Sequence, residues 1–409
     1  MIQKNSSCAS DTIKTKLRAF SVVKVKLWNG QEVETMNSVL SEIIRLRCGR
    51  TPVIDYHNSN RYCIVVSEDN GTKTAYCFGV PIYNSRTRKL VTLQFQETGR
   101  AWKAEGSNAG ITAGNEIFLE NQDGFCRVDL PGNIMSGFGH SIRYGMAAVV
   151  PTLNGVFVRV PCRADQPYEI KLFSGQLFMN VRANDRCFSL MREEFKPFMT
   201  LSCIGAINGA GQMIAPCSLE YQRDSDNAYP LTMRHSSPYG STLLFEINLH
   251  EDKLFQDTTV ESLHPDRNNA FGGAAFIGNT AAYGEQWLYS RPDFSKLPEL
   301  YDKQIRKAIL HLPRFGGSCA LSAFGLTARF CSFGSNWENK IQAADELTTA
   351  STGGAYQNLD ITRLITDNAG FLKHSEGLIL RPKEKNGGFS AVSTGDSYFA
   401  PQILEVNFR

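Results

Sequence analysis

Hydrophobic positions along the chain fall in short runs separated by turn residues. The runs VVKVKLW (22–28), RYCIVV (61–66), KLVTLQF (89–95), VFVRV (156–160), YEIKLF (168–173), LFMNVRA (177–183) and TLLFEINL (242–249) each have strand length. Within them KVKLW and EIKLF alternate apolar and polar, the period of a strand with one wet face. Turn signals stand between them in WNGQ (28–31), EDNGT (68–72), LNGV (153–156) and INGAGQ (207–212), where Asn-Gly marks hairpins. Helical periodicity is scarce. MNSVLSEIIRLR (36–47) aligns Met36, Val39, Leu40, Ile43 and Ile44 on one face, with Asn37 or Ser38 as cap and Gly49 beyond the end. The pattern predicts a mainly β protein, built of sandwiches or barrels rather than a parallel α/β sheet, with one short helix packed on a sheet.

Composition agrees with a folded chain. Of 409 residues, 42% are hydrophobic and 20% charged, which excludes a disordered class. Lys+Arg 43 against Asp+Glu 40 leaves +3, too balanced to predict nucleic acid as a partner. No run approaches the ~18 apolar residues of a membrane helix, so no membrane insertion is expected. The first twenty residues lack an apolar signal-peptide core, so classical export is not expected. A surface role would need a non-classical route to a cell or particle surface; otherwise the cytoplasm is the expected location.

Composition shifts near 151–155 and 234–241 suggest four segments: a flexible arm (1–20), a β-rich domain with the helix (21–152), a small sandwich-like domain (153–238) and a larger sandwich (239–409).

The last segment carries an ordered set of motifs. A strand leads into QDTTVESLHPDRNNAFGGAAFIG (256–278), a loop rich in Asn and Gly before a strand ending in Gly. WLYSRPDFSKLPELYDKQIRKAILHL (287–312) follows, with Arg291, Asp293, Phe294, Ser295, Leu297, Pro298, Ile305 and Ala308 in order. Trp337, then LDITRLI (359–365), SEGLILRPK (375–383) and DSYFAPQILEVNF (396–408), complete the set. Over 242–409 the chain resembles the DNRLRE family, or disaggregatase-related repeats. The resemblance implies a jelly-roll-like β-sandwich of the kind found in bacterial and archaeal surface proteins, some of them carbohydrate-binding modules. The chain departs from the family pattern at Pro292, which suggests an edge or bulge, and lacks the family's Trp after Thr362. Asp293 with Ser295, and Asp360 with Thr362, are expected to satisfy turn backbone rather than a ligand.

Catalytic motifs are missing from the sequence. There is no G-x-S-x-G elbow, Walker loop, strand-coupled G-x-G-x-x-G or H-E-x-x-H. Eleven cysteines show no C-x-x-C and mostly flank apolar residues, as buried cysteines do. Cys8 differs, because a thiol on a polar arm could crosslink a neighbouring subunit. Asp257, Glu261 and Asp266 offer hard oxygens for a structural calcium, without EF-hand spacing. Trp287, Tyr289, Asn336 and Trp337 combine aromatic faces with hydroxyl-bonding neighbours, as a sugar platform requires. Core filling is the competing role for the tryptophans.

Two functional expectations follow. One is a non-enzymatic recognition protein binding polysaccharide or cell-envelope glycan. The other is a structural subunit of a fibre, spore layer or phage-like particle whose partners are copies of itself. A carbohydrate-active enzyme remains a third class, since a fold does not license chemistry.

Overall fold

The computed structural model describes residues 23–27, 32–35, 38–83, 89–138, 140–163, 166–175, 180–223, 227–235, 237, 240–350, 354–366, 376–385 and 388–409. The arm 1–20, with Cys8, lies outside them. The protein is mainly β. Its described strands form sheets of 15, 9 and 8, and their pairing is antiparallel except between Val23–Leu27 and Val53–Asp55. The helix covers Ser38–Leu46, and its Val39, Leu40 and Ile43 are buried against the sheet as the periodicity requires. Gly49 (φ 86°) ends it, with its N–H donating to Ile44 O at 2.9 Å.

Hairpins form at three of the four Asn-Gly marks, and the fourth, WNGQ (28–31), lies outside the described residues. Residues 68–72 turn Cys63–Ser67 into Lys73–Phe78, and residues 152–155 turn Ala147–Pro151 into Gly155–Cys162. Residues 208–212 turn Lys196–Ile207 into Met213–Ala215. Pro292 interrupts nothing, because it is the last residue of strand Gly284–Pro292, which sits inside a sheet and not at its edge. Past it, Asp293 Oδ1 accepts from Ser295 N at 3.2 Å and caps a short 3-10 turn. Asp360 Oδ1 accepts likewise from Thr362 N at 3.0 Å and Thr362 Oγ1 at 2.6 Å.

The long-range pairing crosses the boundaries suggested by composition. Lys73–Phe78 pairs with the last strand, Ile403–Phe408, so residues 23–78 belong to the same sheet as the C-terminal segment. Strand Ile305–Gly317 pairs with Ile403–Phe408 through its first half and with Phe389–Ser393 through its second, carrying the 15-stranded sheet around a corner. The sheet thereby folds over its own core, in which Val65, Cys77, Leu310 and Leu404 face Ile277, Leu288, Leu321 and Leu380.

The nine- and eight-stranded sheets draw only on residues 94–249, and they form a second sandwich around Phe95, Ile117, Val128, Val158, Leu201, Tyr229 and Phe245. This sandwich is an insertion into the first. Its two ends lie together: Leu254 N donates to Gly79 O at 2.7 Å, and Gly79 N to Gln402 O at 2.8 Å. Adjacent ends are what a domain insertion requires.

The two sandwiches stack through a second apolar layer. Phe157, Ile204, Ile207, Met213 and Leu244 of the nine-stranded sheet meet Ala274, Phe276, Phe315 and Ala391 of the outer sandwich. Phe157 stacks on Phe399 with ring centroids 3.8 Å apart. The middle sheets are therefore buried on both faces, and Lys196–Ile207 is buried from Phe198 to Ile207 without alternation.

Candidate functional site

Where the sandwiches meet at one end, their loops enclose a cleft of about 650 Å³. The eight-stranded sheet contributes Asn121 and Asp123 where Ile117–Asn121 turns, and the nine-stranded sheet contributes Arg192, Phe195 and Lys196 where Cys187–Glu193 turns into Lys196–Ile207. The outer sandwich contributes Phe271, Lys296, Phe333 and Asp396, and the returning linker contributes His250, Glu251, Asp252 and Lys253. Aromatic rings form a ladder from mouth to floor. Phe195, 51% exposed, lies 4.8 Å from Phe333, which lies 5.2 Å from Phe271; the His250 ring stands edge-on to Phe271 at 5.6 Å. Phe271 has φ 72°, a left-handed backbone that a bulky residue adopts only when its surroundings impose it.

Charges of both signs alternate around the mouth. Arg192 pairs with Asp123 at 2.6 Å, Arg61 with Glu251 at 2.7 Å and Lys296 with Asp252 at 2.6 Å. On the floor, Lys253 Nζ touches Asp396 Oδ1, and Asp257 Oδ2 accepts from the N–H of Gly395. Burial lowers Lys253 to about 8, with the Asp257 charge opposing, and raises Asp257 to about 6, with Lys253 and Gly395 opposing. His250 is held well below its ordinary range by burial, then by Lys253 and Arg192. It stays neutral, with Nε2 and Thr200 Oγ1 2.6 Å apart.

The residues expected to bind calcium do not converge. Asp257 faces Lys253 and Gly395, Glu261 is closed in by other partners, and Asp266 is exposed on its loop. Glu261 is fully buried; Arg186 lies at 3.3 Å, Arg267 at 3.0 Å and Gln286 Nε2 at 3.1 Å. Basic side chains of the protein stand beside Asp257 and Glu261. Among the described residues no group of three or more His, Cys, Asp or Glu is placed to hold a metal.

The expected sugar platform is also rearranged. Tyr289 is fully buried and donates its hydroxyl to Ile341 O at 3.0 Å, so it presents nothing to a ligand. Its strand lies beneath the 327–342 loop, which covers the face that Tyr289 and Trp287 share. Trp287 and Trp337 do meet, with ring centroids 4.6 Å apart, but Arg381 lies 3.9 Å over Trp287 and Lys340 4.6 Å over Trp337. Asn336 is bound to Asn339 of its own loop and, through Nδ2, to Asp266 O of the loop after Phe255–Glu261. The pair reads as a cation-capped satellite core rather than an open stacking face.

Sequence reasoning passes over the groups that matter most at the junction. Glu246 interrupts the apolar run TLLFEINL, and that interruption is its only signal. It is fully buried and accepts from Ser397 Oγ at 2.6 Å, Asn248 Nδ2 at 2.8 Å, Tyr398 N at 3.0 Å and Phe399 N at 3.2 Å. Burial raises its pKa against those donors, and the bonds tie the inserted sandwich to the loop before the last strand. No family model matches the chain, and no curated protein matches it.

Proposed function

We propose that the protein is a non-enzymatic recognition module that binds glycan, and that the saccharide sits in the cleft between the sandwiches rather than on the Trp287–Trp337 pair. The observation that carries this reading is the lining of the cleft. A pyranose has an apolar face and a rim of hydroxyls, so it needs a ring to stack on and both donors and acceptors around it. Phe195 and Phe333 supply ring faces at the mouth, while Asn121, Gln122, Asp123, Arg192 and Gln256 supply donors and acceptors within the same cleft. The near balance of charge favours a polyhydroxylated ligand over a polyanion.

Binding to immobilised polysaccharides, followed by calorimetry on the best ligand, tests the reading. Phe195→Ala and Phe333→Ala should each weaken binding about tenfold, or roughly 1.4 kcal/mol. Trp287→Ala should leave it unchanged if the protein remains folded. Folded protein that binds no polysaccharide, or binding lost with Trp287 and kept without Phe195 and Phe333, would overturn it.

A further inference from the structure

We propose that Lys253 and Asp396 become joined by an amide bond between Nζ and Cγ, formed by the folded chain itself with Asp257 as the proton carrier. Three placements support this. Lys253 Nζ is in direct contact with the Asp396 carboxyl, and their side chains are only 16% and 4% exposed. Asp257 stands at the same point, 4% exposed, bonded to the backbone of Gly395 next to Asp396. Apolar rings flank the contact on the cleft floor, with Phe271 5.8 Å from Nζ and Phe255 buried. Gly395 allows the approach: a Cβ there would lie 2.7 Å from Phe255 Cβ and 2.8 Å from Asp257 Oδ2.

In water an ammonium and a carboxylate do not condense, because neither is in its reactive form. Burial disfavours both charges, so a proton passes from Nζ to the carboxyl and leaves an amine facing a neutral acid. The lowered titration of Lys253 has the sense this requires, and the raised one of Asp257 suits a group that takes up and returns a proton. The Nζ lone pair then attacks Cγ to give a tetrahedral adduct. Asp257 takes the proton from nitrogen and delivers it to the departing hydroxyl, which leaves as water as the C–O bond breaks. Ammonium plus carboxylate becomes amide plus one water, with no oxidant, nucleotide or other reactant. Fixed proximity supplies the rate that the uncatalysed encounter lacks. The event occurs once per chain and consumes no external substrate.

The intact mass of the purified full-length protein, with a tryptic map of the denatured chain, tests the proposal. The expected result is a chain lighter by one water, no cleavage after Lys253, and a branched peptide joining the segments that contain Lys253 and Asp396. Asp396→Ala and Lys253→Arg should restore the full mass. Asp257→Ala should abolish the branched peptide while its circular dichroism stays that of the parent. An unmodified wild-type mass with normal cleavage after Lys253 would overturn the proposal and leave the contact as a buried ion pair. So would a branched peptide that persists in folded Asp257→Ala protein, since it would remove Asp257 from its role. The first readout uses the parent protein, so a variant that fails to fold does not spoil the test.

Discussion

Replacing Arg186 by Met tests whether the two sandwiches are bonded through a buried charge network or merely stacked. Arg186 precedes strand Cys187–Glu193 of the inserted sandwich and is 3% exposed. Its guanidinium reaches into the outer sandwich, to Glu261 Oε2 and Thr259 Oγ1, both at 3.3 Å, and to Ala274 O at 3.0 Å. It also lies 4.8 Å from the Tyr283 ring centroid. Methionine fills much of the volume but leaves these acceptors without the donor. Removing one partner of a buried pair costs about 3–5 kcal/mol when the other charge is stranded. Glu261 is not stranded, since Arg267 and Gln286 remain at 3.0 and 3.1 Å. The expected loss is therefore at the low end, about 3 kcal/mol, to which the unpaired Ala274 carbonyl contributes about 1 kcal/mol. Urea unfolding followed by far-ultraviolet circular dichroism and tryptophan fluorescence measures it, because Trp287 and Trp337 lie in the outer sandwich and Trp102 in the inserted one. The exposed pair Lys196–Glu193, with side chains 68% and 65% exposed, is the control, and breaking it should change stability by less than about 1 kcal/mol. An Arg186→Met loss no larger than the control's would refute the bonded junction.

Other outcomes follow from single contacts. Gly395→Ala should displace the loop from Asp257 and Phe255, with a stability loss of about 2 kcal/mol in thermal unfolding, the scale of core overpacking. Under native conditions a thiol reagent should titrate Cys48 and Cys331 quickly, whereas Cys63, Cys77, Cys126, Cys187, Cys203, Cys217 and Cys319 should react only after denaturant is added; fast reaction of the buried set would contradict the packing. His250 is neutral in the fold because burial depresses its pKa, so the unfolded chain takes up a proton that the folded one refuses. Its stabilising contribution is complete above the unfolded value near 6.5 and is lost as pH falls below it, at up to about 1.4 kcal/mol per pH unit. Urea midpoints between pH 7 and pH 5 should fall less steeply in His250→Asn than in the parent.

The sequence discloses what is local and hides what is distant. Asn-Gly turns and alternating runs predict hairpins because both signals lie within one strand pair, and the structure places turns at 68–72, 152–155 and 208–212. The pairing of Phe78 with Ile403 has no such signature, since nothing near either residue encodes a partner so far along the chain. Boundaries read from composition therefore separate 23–78 from the sandwich to which it belongs. Burial on both faces removes alternation from Lys196–Ile207, so that strand gives no sign of which side faces which core. Tyr289 shows the same limit at the level of a site. Parity puts it with Trp287 on one face, but only the distant 327–342 loop decides that this face is covered. The cleft is assembled from turns of three sheets, and none of its members carries a motif.

The connection between the sandwiches puts a particular demand on the junction. An inserted unit attached by two strands is held by its ends and by whatever bonds its face, and here both lie near Gly79, Leu254 and Gln402. The apolar layer around Phe157, Phe276 and Phe315 resists separation, but a greasy contact is non-directional and yields to sliding. Directional bonds oppose that sliding: Glu246 to residues 397–399, Arg186 to Thr259 and Ala274, and Lys253 to Asp396. Of these, the Lys253–Asp396 contact alone lies where the chain returns from the insertion and also touches the loop leading into the last strand. An amide there would enclose residues 253–396, and the loop-entropy relation used for disulfides gives about 5 kcal/mol for a closure of that length. Placing the strongest clamp at the return point keeps the linker and the loop before the last strand in fixed register. Those same segments form the floor of the cleft, so the clamp that stabilises the fold also fixes the shape of the surface proposed to meet a glycan.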